Sequence, residues 1–228
     1  MREIVLDTET TGLDPLLGHR IVEVACLELF NHLPTGRHFQ AYVNPERDMP
    51  AEAEAVHGLT ATFLADKPRF AEVVERLMEF IGDAALVIHN AEFDIRFLNA
   101  ELARLKRPAL AHRIVDTLQI ARRKFPGAQA SLDALCRRFA IDNSARTRHG
   151  ALLDAELLAE VYLELVGGRQ AGLDLAGIES PAGLVTPAAL PGGAPIVVRP
   201  PRPHAPTEAE AAAHAALLAT IKEPIWLA

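Results

Sequence analysis

Residues 3–12 read Glu-Ile-Val-Leu-Asp-Thr-Glu-Thr-Thr-Gly, a short apolar run that ends in acidic residues. The apolar run Ile4–Leu6 predicts a buried β-strand. Asp7 and Glu9 are two positions apart, so on a strand their side chains share one face. An ionised carboxylate beside an apolar strand must find a cation or another partner, or become protonated. The stretch therefore predicts a strand that brings two carboxylates to one shared site.

Two further carboxylates interrupt apolar helix patterns. Asp94 heads a predicted helix whose inner stripe continues through Phe97, Leu98, Leu102 and Leu105. Glu92 competes with Asp94 for the same role but lacks these apolar neighbours at helical spacing. Asp154 shares helical spacing with Leu157, Leu158, Val161 and Leu165. Both acidic residues are therefore expected to face inward from their helices.

A histidine precedes the last of these carboxylates. His149 lies five residues before Asp154, which on one continuous helix would separate the two by about 140°. Gly150 instead allows His149 to lie in the preceding loop and lean over Asp154. A lone histidine at a helix start is more often structural, and the three acidic clusters each have a plain explanation as solvated or capping groups. Only their combination indicates a catalytic site.

The type of ligand indicates the chemistry. Four carboxylates without cysteine or clustered histidine ligands favour Mg²⁺ or Mn²⁺ over zinc. Two such ions can clamp both oxygens of an in-line phosphoryl displacement, and a neutral histidine can take a proton from the attacking water. We therefore expect phosphodiester hydrolysis, with His149 as the catalytic base and metal ligands Asp7, Glu9, Asp94 and Asp154.

The order of the patterns predicts an α/β fold with helices on a sheet. Strand patterns at Glu3–Asp7, Ile21–Phe30 and Arg37–Val43 are followed by a loop containing Pro45 and Pro50. Beyond that loop, helix and strand patterns alternate. Helices are expected at about 70–81, from a cap at Asn90 to about 105, from a cap at Ser131, and at about 151–166. Short strands are expected at 86–88 and 114–115.

Composition divides the chain into three parts. Residues 1–168 form the predicted catalytic domain, and residues 169–206 form a linker, since residues 167–206 hold 8 of the 16 prolines and 7 of the 14 glycines. Residues 207–228 form a C-terminal segment with a short alanine-rich helix capped by Thr207. No apolar run reaches membrane-spanning length, no leader pattern opens the chain, and Cys26 and Cys136 suggest no disulfide framework. The sequence predicts a cytoplasmic protein without membrane contact.

Charge is distributed unevenly along the chain. The net charge is −7, but residues 96–148 carry 12 basic and 4 acidic side chains. This basic middle part either contacts phosphates or forms ordinary solvated helix faces. The acidic remainder predicts only modest affinity of the whole chain for DNA.

The three acidic motifs resemble those of the histidine branch of the DEDD exonuclease superfamily. They read Asp-Thr-Glu-Thr-Thr-Gly from residue 7, His-Asn-Ala-Glu-Phe-Asp from residue 89 and His-Gly-Ala-Leu-Leu-Asp from residue 149. The run Ser-Leu-Asp-Ala-Leu-Cys from residue 131 and residues 141–168 are similar to the epsilon, or proofreading, subunits of bacterial DNA polymerase III. The resemblance covers about residues 1–168. It implies a ribonuclease H-like exonuclease fold with a mixed β-sheet.

The resemblance also implies roles for individual residues. Asp7, Glu9 and Asp154 would hold the catalytic metal, with Asp7 bridging to a second ion that Asp94 supports. Family members contact the terminal nucleotide through a glutamate and a histidine in a loop after the third strand. Here Glu52 and His57 resemble that pair, with Glu54 as an alternative to Glu52. Asp7, Glu9 and Asp154 would also lie against the substrate.

The tail resembles segments that bind replication partners. Gln170, Leu173 and Leu175 are similar to a sliding-clamp-binding hexapeptide, although Leu175 stands where an aromatic residue is frequent. Trp226 and the helix before it resemble the segment that docks on the polymerase III alpha (catalytic) subunit. An exposed tryptophan at an idle tail would otherwise be unexplained. The resemblance leaves open a small third core subunit as a further partner.

The expected function is removal of mispaired nucleotides from a single-stranded or frayed DNA 3′ end. A sister enzyme of the same fold that trims RNA 3′ ends is the first alternative, which the motifs alone do not separate. A non-catalytic scaffold between clamp and polymerase is the second. The intact set of five catalytic positions argues against the scaffold, because a scaffold gains nothing from buried, uncompensated carboxylates.

Overall fold

The computed structural model describes residues 1–144, 146, 148–168 and 206–220. The chain divides into two units, Met1–Asp174 and Leu175–Ala228. Of the second unit, only the segment 206–220 is described. Within the described ranges, no helix has the length and apolar character needed to cross a bilayer.

The first unit is built on a five-stranded mixed sheet. Its strands, in chain order, are β1 Arg2–Thr10, β2 Ile21–Phe30, β3 Leu33–Tyr42, β4 Ala85–Ile88 and β5 Ile114–Asp116. The spatial order is β3-β2-β1-β4-β5, in which β1, β2 and β3 pair antiparallel while β4 pairs parallel with β1 and with β5. The predicted α/β class with a mixed sheet is confirmed.

Helices pack on the sheet of the first unit, and four of the seven there occupy positions that the sequence predicts. The helices are α1 Ala51–His57, α2 Ala61–Leu64, α3 Phe70–Ile81, α4 Ala91–Arg104, α5 Thr117–Lys124, α6 Leu132–Phe139, α7 Ala151–Leu165 and, in the second unit, α8 Glu208–Thr220. The sequence predicts a loop where α1 and α2 lie, and it predicts no helix at the position of α5. Pro50 precedes α1, and Gly58 ends it at a φ of 76°, so the helix is bounded by strong local signals.

The alternation of side chains along β1 separates two apolar cores. Ile4 and Leu6 pack with residues of α3 and α4, whereas Val5 packs with residues of α6 and α7. Because side chains alternate along a strand, Asp7 and Glu9 continue the row of Val5. Both carboxylates therefore lie on the α7 side of the sheet, at its carboxyl end.

Of two helix caps predicted from the sequence, one forms in the structure and the other does not. Ser131 caps α6 as predicted, since its hydroxyl accepts from the Ala134 N–H at 3.3 Å. Asn90 precedes α4 but makes no side-chain cap, and its φ of 65° is left-handed. Its backbone N–H donates to an Asp116 oxygen at 3.3 Å. The prediction that the Asn90 side chain caps α4 is wrong, because the tight turn from β4 commits its backbone elsewhere.

The described part of the second unit is the predicted C-terminal helix. Thr207 precedes α8, accepts from the Glu210 N–H at 3.3 Å and donates its own N–H to Glu210 at 2.8 Å. This reciprocal pair is a capping box. The predicted linker over 169–206 lies outside the described residues except for Pro206, so the three-part division of the chain stays a prediction.

Candidate active site

Three elements bring the four predicted carboxylates to one cavity. Asp7 and Glu9 come from β1, while Asp94 and Asp154 lie in the first turns of α4 and α7. All four line a cavity of about 590 Å³, together with His149. The structure therefore brings together every residue of the predicted metal and catalytic set.

His149 lies in the loop before α7, as the sequence predicts. Its backbone N–H donates to the Val56 carbonyl at 3.2 Å, which ties this loop to α1. Its imidazole is about half exposed. Ligand atoms of Glu9, His149 and Asp154 all lie within 4.8 Å of one another, a spacing that one metal ion can bridge.

An arginine that the sequence analysis did not assign fills part of this cluster. The Arg146 guanidinium donates to both oxygens of Asp154, at 2.6 and 2.7 Å. It also donates to an Asp133 oxygen at 2.8 Å and lies 2.8 Å from the Nδ1 of His149. Hydrogen bonds to Asp154 raise the pKa of Arg146 further above its already high ordinary value. The guanidinium is therefore a permanent cation at the centre of the acidic cluster.

Burial and mutual repulsion raise the pKa of three carboxyl groups. Burial raises the pKa of Glu9 to about 8, and the charges of Asp154, Glu23 and Asp94 add to that effect. Burial and then the charge of Asp94 raise the pKa of Asp7 well above its usual range. Burial also raises the pKa of Asp94 to about 7, against the opposing effect of a hydrogen bond from the Thr8 hydroxyl at 2.7 Å. The cluster is short of positive charge.

This donor set fits divalent metal ions. Several carboxylates that resist ionisation gain most from a compact cation, and their oxygens are hard ligands of the kind that divalent ions bind. Arg146 already stands in for such a cation on Asp154. Thr8 holds Asp94 in orientation from the opposite face of β1, as partners of metal-binding carboxylates commonly do.

A fifth buried carboxylate lies behind the cavity. Glu23 on β2 pairs directly with Glu9 on β1 and is 2% exposed. Glu23 is not among the predicted site residues, although it stands out as an acidic residue inside the apolar run of β2. Arg146 offered no such signal, because its contacts depend on the path of a loop.

Two of the residues expected to contact substrate line a second cavity, which shares Thr8, Glu9 and Phe93 with the first. Glu52 and His57 are on α1, so the expectation that they lie in a loop is wrong. His57 is 6% exposed, and its Nδ1 accepts from the Leu59 N–H at 3.0 Å. Its Nε2 is buried and makes no hydrogen bond of normal geometry among the described residues. Burial lowers the pKa of His57, against the opposing effect of a contact with the Thr10 backbone, so the neutral ring carries its hydrogen on Nε2.

The predicted partner-binding residues lie outside the described part of the chain. These are Gln170, Leu173 and Leu175 of the clamp-like hexapeptide, and Trp226 of the terminal segment. Their roles stay predictions.

The fold and this acidic cavity define the class of protein: a metal-dependent 3′–5′ exonuclease. A family model described as "Exonuclease" matches residues 4–162. The DNA polymerase III subunit epsilon of Rickettsia prowazekii is 58% identical over 174 residues, which cover 75% of this chain and 76% of that protein. The chain belongs to the family of DNA polymerase III epsilon subunits.

Solved structures show the same architecture. Exonuclease X in complex with 5′ overhanging duplex DNA is 27% identical, with a TM-score of 0.57, over 74% of this chain and 94% of that one. The nuclease domain of 3′hExo, a DEDDh family member bound to rAMP, has a TM-score of 0.64 at 20% identity, over 72% and 91% of the two chains. The ribonuclease H-like exonuclease fold expected from the sequence is confirmed.

Proposed function

We propose that this chain removes mispaired 3′-terminal nucleotides from DNA as 5′-monophosphates, as the proofreading subunit of a bacterial replicase. The observation that carries the proposal is the convergence of Asp7, Glu9, Asp94, Asp154 and His149 on one cavity. The relatives named DNA polymerase III subunit epsilon support the replicase assignment.

Two Mg²⁺ or Mn²⁺ ions are the proposed cofactors. Asp7, Glu9 and Asp154 would hold one, and Asp7 and Asp94 would hold the other. When bound, the ions supply the positive charge that stabilises the attacking and leaving oxygens of an in-line displacement. The raised pKa values of Glu9 and Asp94 support this assignment, because their carboxyl groups ionise readily only beside added positive charge.

His149 is the proposed catalytic base. Its exposed position at the mouth of the cavity allows the ring to accept a proton from the attacking water and to pass it to solvent. Its hydrogen bond to the Val56 carbonyl links the base to α1, which carries Glu52 and His57. A single backbone hydrogen bond thus connects the loop that carries the proposed base to the helix that carries the proposed substrate-binding residues.

The second cavity is the proposed position of the terminal nucleotide. Its lining combines apolar side chains, such as those of Leu13, Val56 and Phe93, with the carboxylates of Glu9 and Glu52, a mixture that suits a nucleotide. Glu52 and the Nε2–H of His57 would hold the terminal sugar. Preference for mismatches would come from fraying, since an unpaired end costs less energy to unstack into the site.

Binding to partners is proposed from the tail and from the relatives. Trp226 and the segment 207–228 would bind the polymerase III alpha subunit, and Gln170, Leu173 and Leu175 would bind the sliding clamp. A small third core subunit is a further candidate partner on the exonuclease domain. A tether of this kind raises the effective concentration of the nuclease at the primer end, which suits a chain with a net charge of −7. A replicase subunit works in the cytoplasm, where we place this chain.

The deciding experiment follows the shortening of a 5′-labelled DNA primer with a mismatched 3′ end in Mg²⁺, with Asp7→Ala as the control. A matched RNA strand is tested in parallel. DNA shortening that Asp7→Ala abolishes, with RNA degraded much more slowly, supports the proofreading function. Preferential RNA degradation moves the function to RNA 3′-end processing. The absence of metal-dependent cleavage of either strand leaves the scaffold hypothesis.

Partner binding is tested separately with the full chain. Surface plasmon resonance against immobilised alpha subunit should lose signal for Trp226→Ala and keep it for the triple alanine variant of Gln170, Leu173 and Leu175. Binding to immobilised clamp should show the opposite pattern. Equal loss in both variants and on both surfaces would contradict the assignment of separate binding segments.

A further inference from the structure

Glu23 is a buried carboxylate that the proposed chemistry does not use. It lies on β2 directly opposite Glu9 on β1 and opposite Tyr42 on β3. Residues paired in this way project from the same face of a sheet. Glu23 therefore belongs to the row that faces α7, immediately beside a proposed metal ligand.

Both oxygens of Glu23 are already engaged. One accepts from the side-chain amide of Gln40 at 2.7 Å, and the other accepts from the backbone N–H of Ala151 at 3.2 Å. Glu23 is 2% exposed and does not line either cavity of the site. Because Glu23 is enclosed and does not reach the cavity that holds the four acidic residues, we do not count it as a fifth metal ligand.

Ala151 is the first residue of α7, the helix that carries Asp154. The residue before it, Gly150, supplies no side-chain cap, which leaves the first N–H groups of α7 without a local acceptor. Glu23 supplies that acceptor from another strand, 128 residues away in sequence. The contact is therefore both a helix cap and a bridge between α7 and the sheet.

We propose that Glu23 is a positioning residue, which sets the start of α7 and thereby holds Asp154 and His149 against Asp7 and Glu9. Asp154 lies in the first turn of α7 and donates its N–H to the Gly150 carbonyl at 2.9 Å. His149 lies two residues before the helix. A shift of the helix start moves a metal ligand and the base together, while Glu9 stays fixed on β1.

Two conservative variants of Glu23 separate the effect of its side-chain length from the effect of its charge. Glu23→Gln keeps the length of the side chain and an oxygen that accepts from Ala151, and the Gln40 amide can rotate to accept from the new amide group. Glu23→Asp keeps the charge but is shorter by one methylene, so it cannot span Gln40 and Ala151 at once. Positioning predicts that the aspartate is the damaged variant, whereas an electrostatic role predicts damage in the glutamine.

Glu28 provides a matched control. It lies on the same strand, is 5% exposed and is also fully hydrogen-bonded, in this case by Arg2, Thr35 and Arg37. Its side chain projects from the opposite face of β2, away from α7. Glu28→Asp and Glu28→Gln therefore disturb a buried carboxylate of β2 without moving the site.

The experiment measures Mn²⁺ binding by isothermal titration calorimetry, together with kcat and KM on a single-stranded DNA primer, for the full-length chain. For Glu23→Asp we expect the Mn²⁺ Kd to rise and kcat to fall by about 10- to 100-fold, the usual effect of losing support for a metal ligand. KM should change less than about threefold. Glu23→Gln should stay within about threefold of the wild type in both, and the Glu28 variants within about twofold.

The inference rests on the proposed metal-dependent function, and the outcomes separate the two. A wild-type chain that binds no Mn²⁺ overturns the proposed function itself. A wild type that binds Mn²⁺ with Glu23→Asp unchanged overturns only the positioning role. A larger loss in Glu23→Gln than in Glu23→Asp shows a role of charge instead, and an equal loss in Glu28→Asp shows general destabilisation.

Discussion

The Arg146 guanidinium clamps Asp154 through two parallel hydrogen bonds, from Nε at 2.6 Å and from Nη2 at 2.7 Å. The same Nη2 lies 2.8 Å from the Nδ1 of His149. Nδ1 also lies 3.3 Å from an Asp154 oxygen, so His149, Asp154 and Arg146 form one connected group. In this arrangement Arg146 contacts both a proposed metal ligand and the proposed base.

Replacing Arg146 should therefore strengthen metal binding. A metal ion and Arg146 compete for the same two oxygens of Asp154, so Arg146→Gln removes a competitor. We expect the Mn²⁺ Kd, measured by calorimetry, to fall at least several-fold. Arg137→Gln is the matched control, since Arg137 is an exposed arginine on α6. A weaker Mn²⁺ affinity in Arg146→Gln would show that Arg146 supports the site rather than competes for it.

The same variant should be less stable in the absence of metal. The side chains of Arg146 and Asp154 are 8% and 5% exposed, so the pair is buried. Removing one partner of a buried pair leaves an uncompensated charge, which typically costs about 3–5 kcal/mol. Denaturation by urea in EDTA should show a loss of about 3 kcal/mol for Arg146→Gln, with excess Mn²⁺ restoring part of it. Equal stability in EDTA would contradict the buried ion pair.

The stability of the metal-free chain should fall as the pH rises. The pKa of Glu9 is raised from 4.5 to about 8, and that of Asp94 from 3.8 to about 7. The folded chain therefore holds protons that the unfolded chain has released, and the stabilisation they give is lost progressively as pH rises from about 4 to about 8. In EDTA, Tm should decrease between about pH 5 and pH 8. Glu9→Gln should flatten this decrease, and a Tm that rises over the range would refute the assignment.

Asp7 is expected to lower the stability of the metal-free fold while it supports exonuclease activity. Burial and the charge of Asp94 raise its pKa, so its ionised form destabilises the metal-free fold. Asp7→Asn should raise Tm in EDTA at about pH 8 while it lowers exonuclease kcat by at least about 1,000-fold and removes the Tm increase on adding Mn²⁺. Asp83→Asn, at an exposed aspartate, should change neither. A destabilised Asp7→Asn chain would show that Asp7 has a structural partner.

Strand periodicity explains why much of the site could be predicted from the sequence. The two-residue spacing of Asp7 and Glu9 fixes their common face, and the apolar stripes behind Asp94 and Asp154 fix the inward direction of both. Glu23 could not be assigned in this way, because its role depends on the register that pairs it with Glu9 and on the start of α7. Such long-range contacts leave no periodic signal in the sequence.

Local backbone conformation accounts for the remaining differences between the predicted and the observed secondary structure. Asn90 looks like a helix cap, but its left-handed backbone directs its N–H to Asp116. The prolines at 45 and 50 suggested a loop, yet Pro50 opens α1, because proline is tolerated at a helix start. As a result, Glu52 and His57 lie on a helix, and they line the same cavity as Glu9.

The buried Nε2 of His57 makes substrate binding testable apart from catalysis. Nδ1 accepts from the Leu59 N–H, and the Nε2–H makes no hydrogen bond of normal geometry among the described residues, so a substrate oxygen that reaches it would satisfy this donor. His57→Phe keeps the ring and removes the donor. We expect KM for a single-stranded DNA primer to rise about tenfold, the effect of one hydrogen bond of about 1.4 kcal/mol, with the Mn²⁺ Kd unchanged. His38→Phe, at an exposed histidine of β3, is the control, and an unchanged KM in His57→Phe would mean that Nε2 does not contact the substrate.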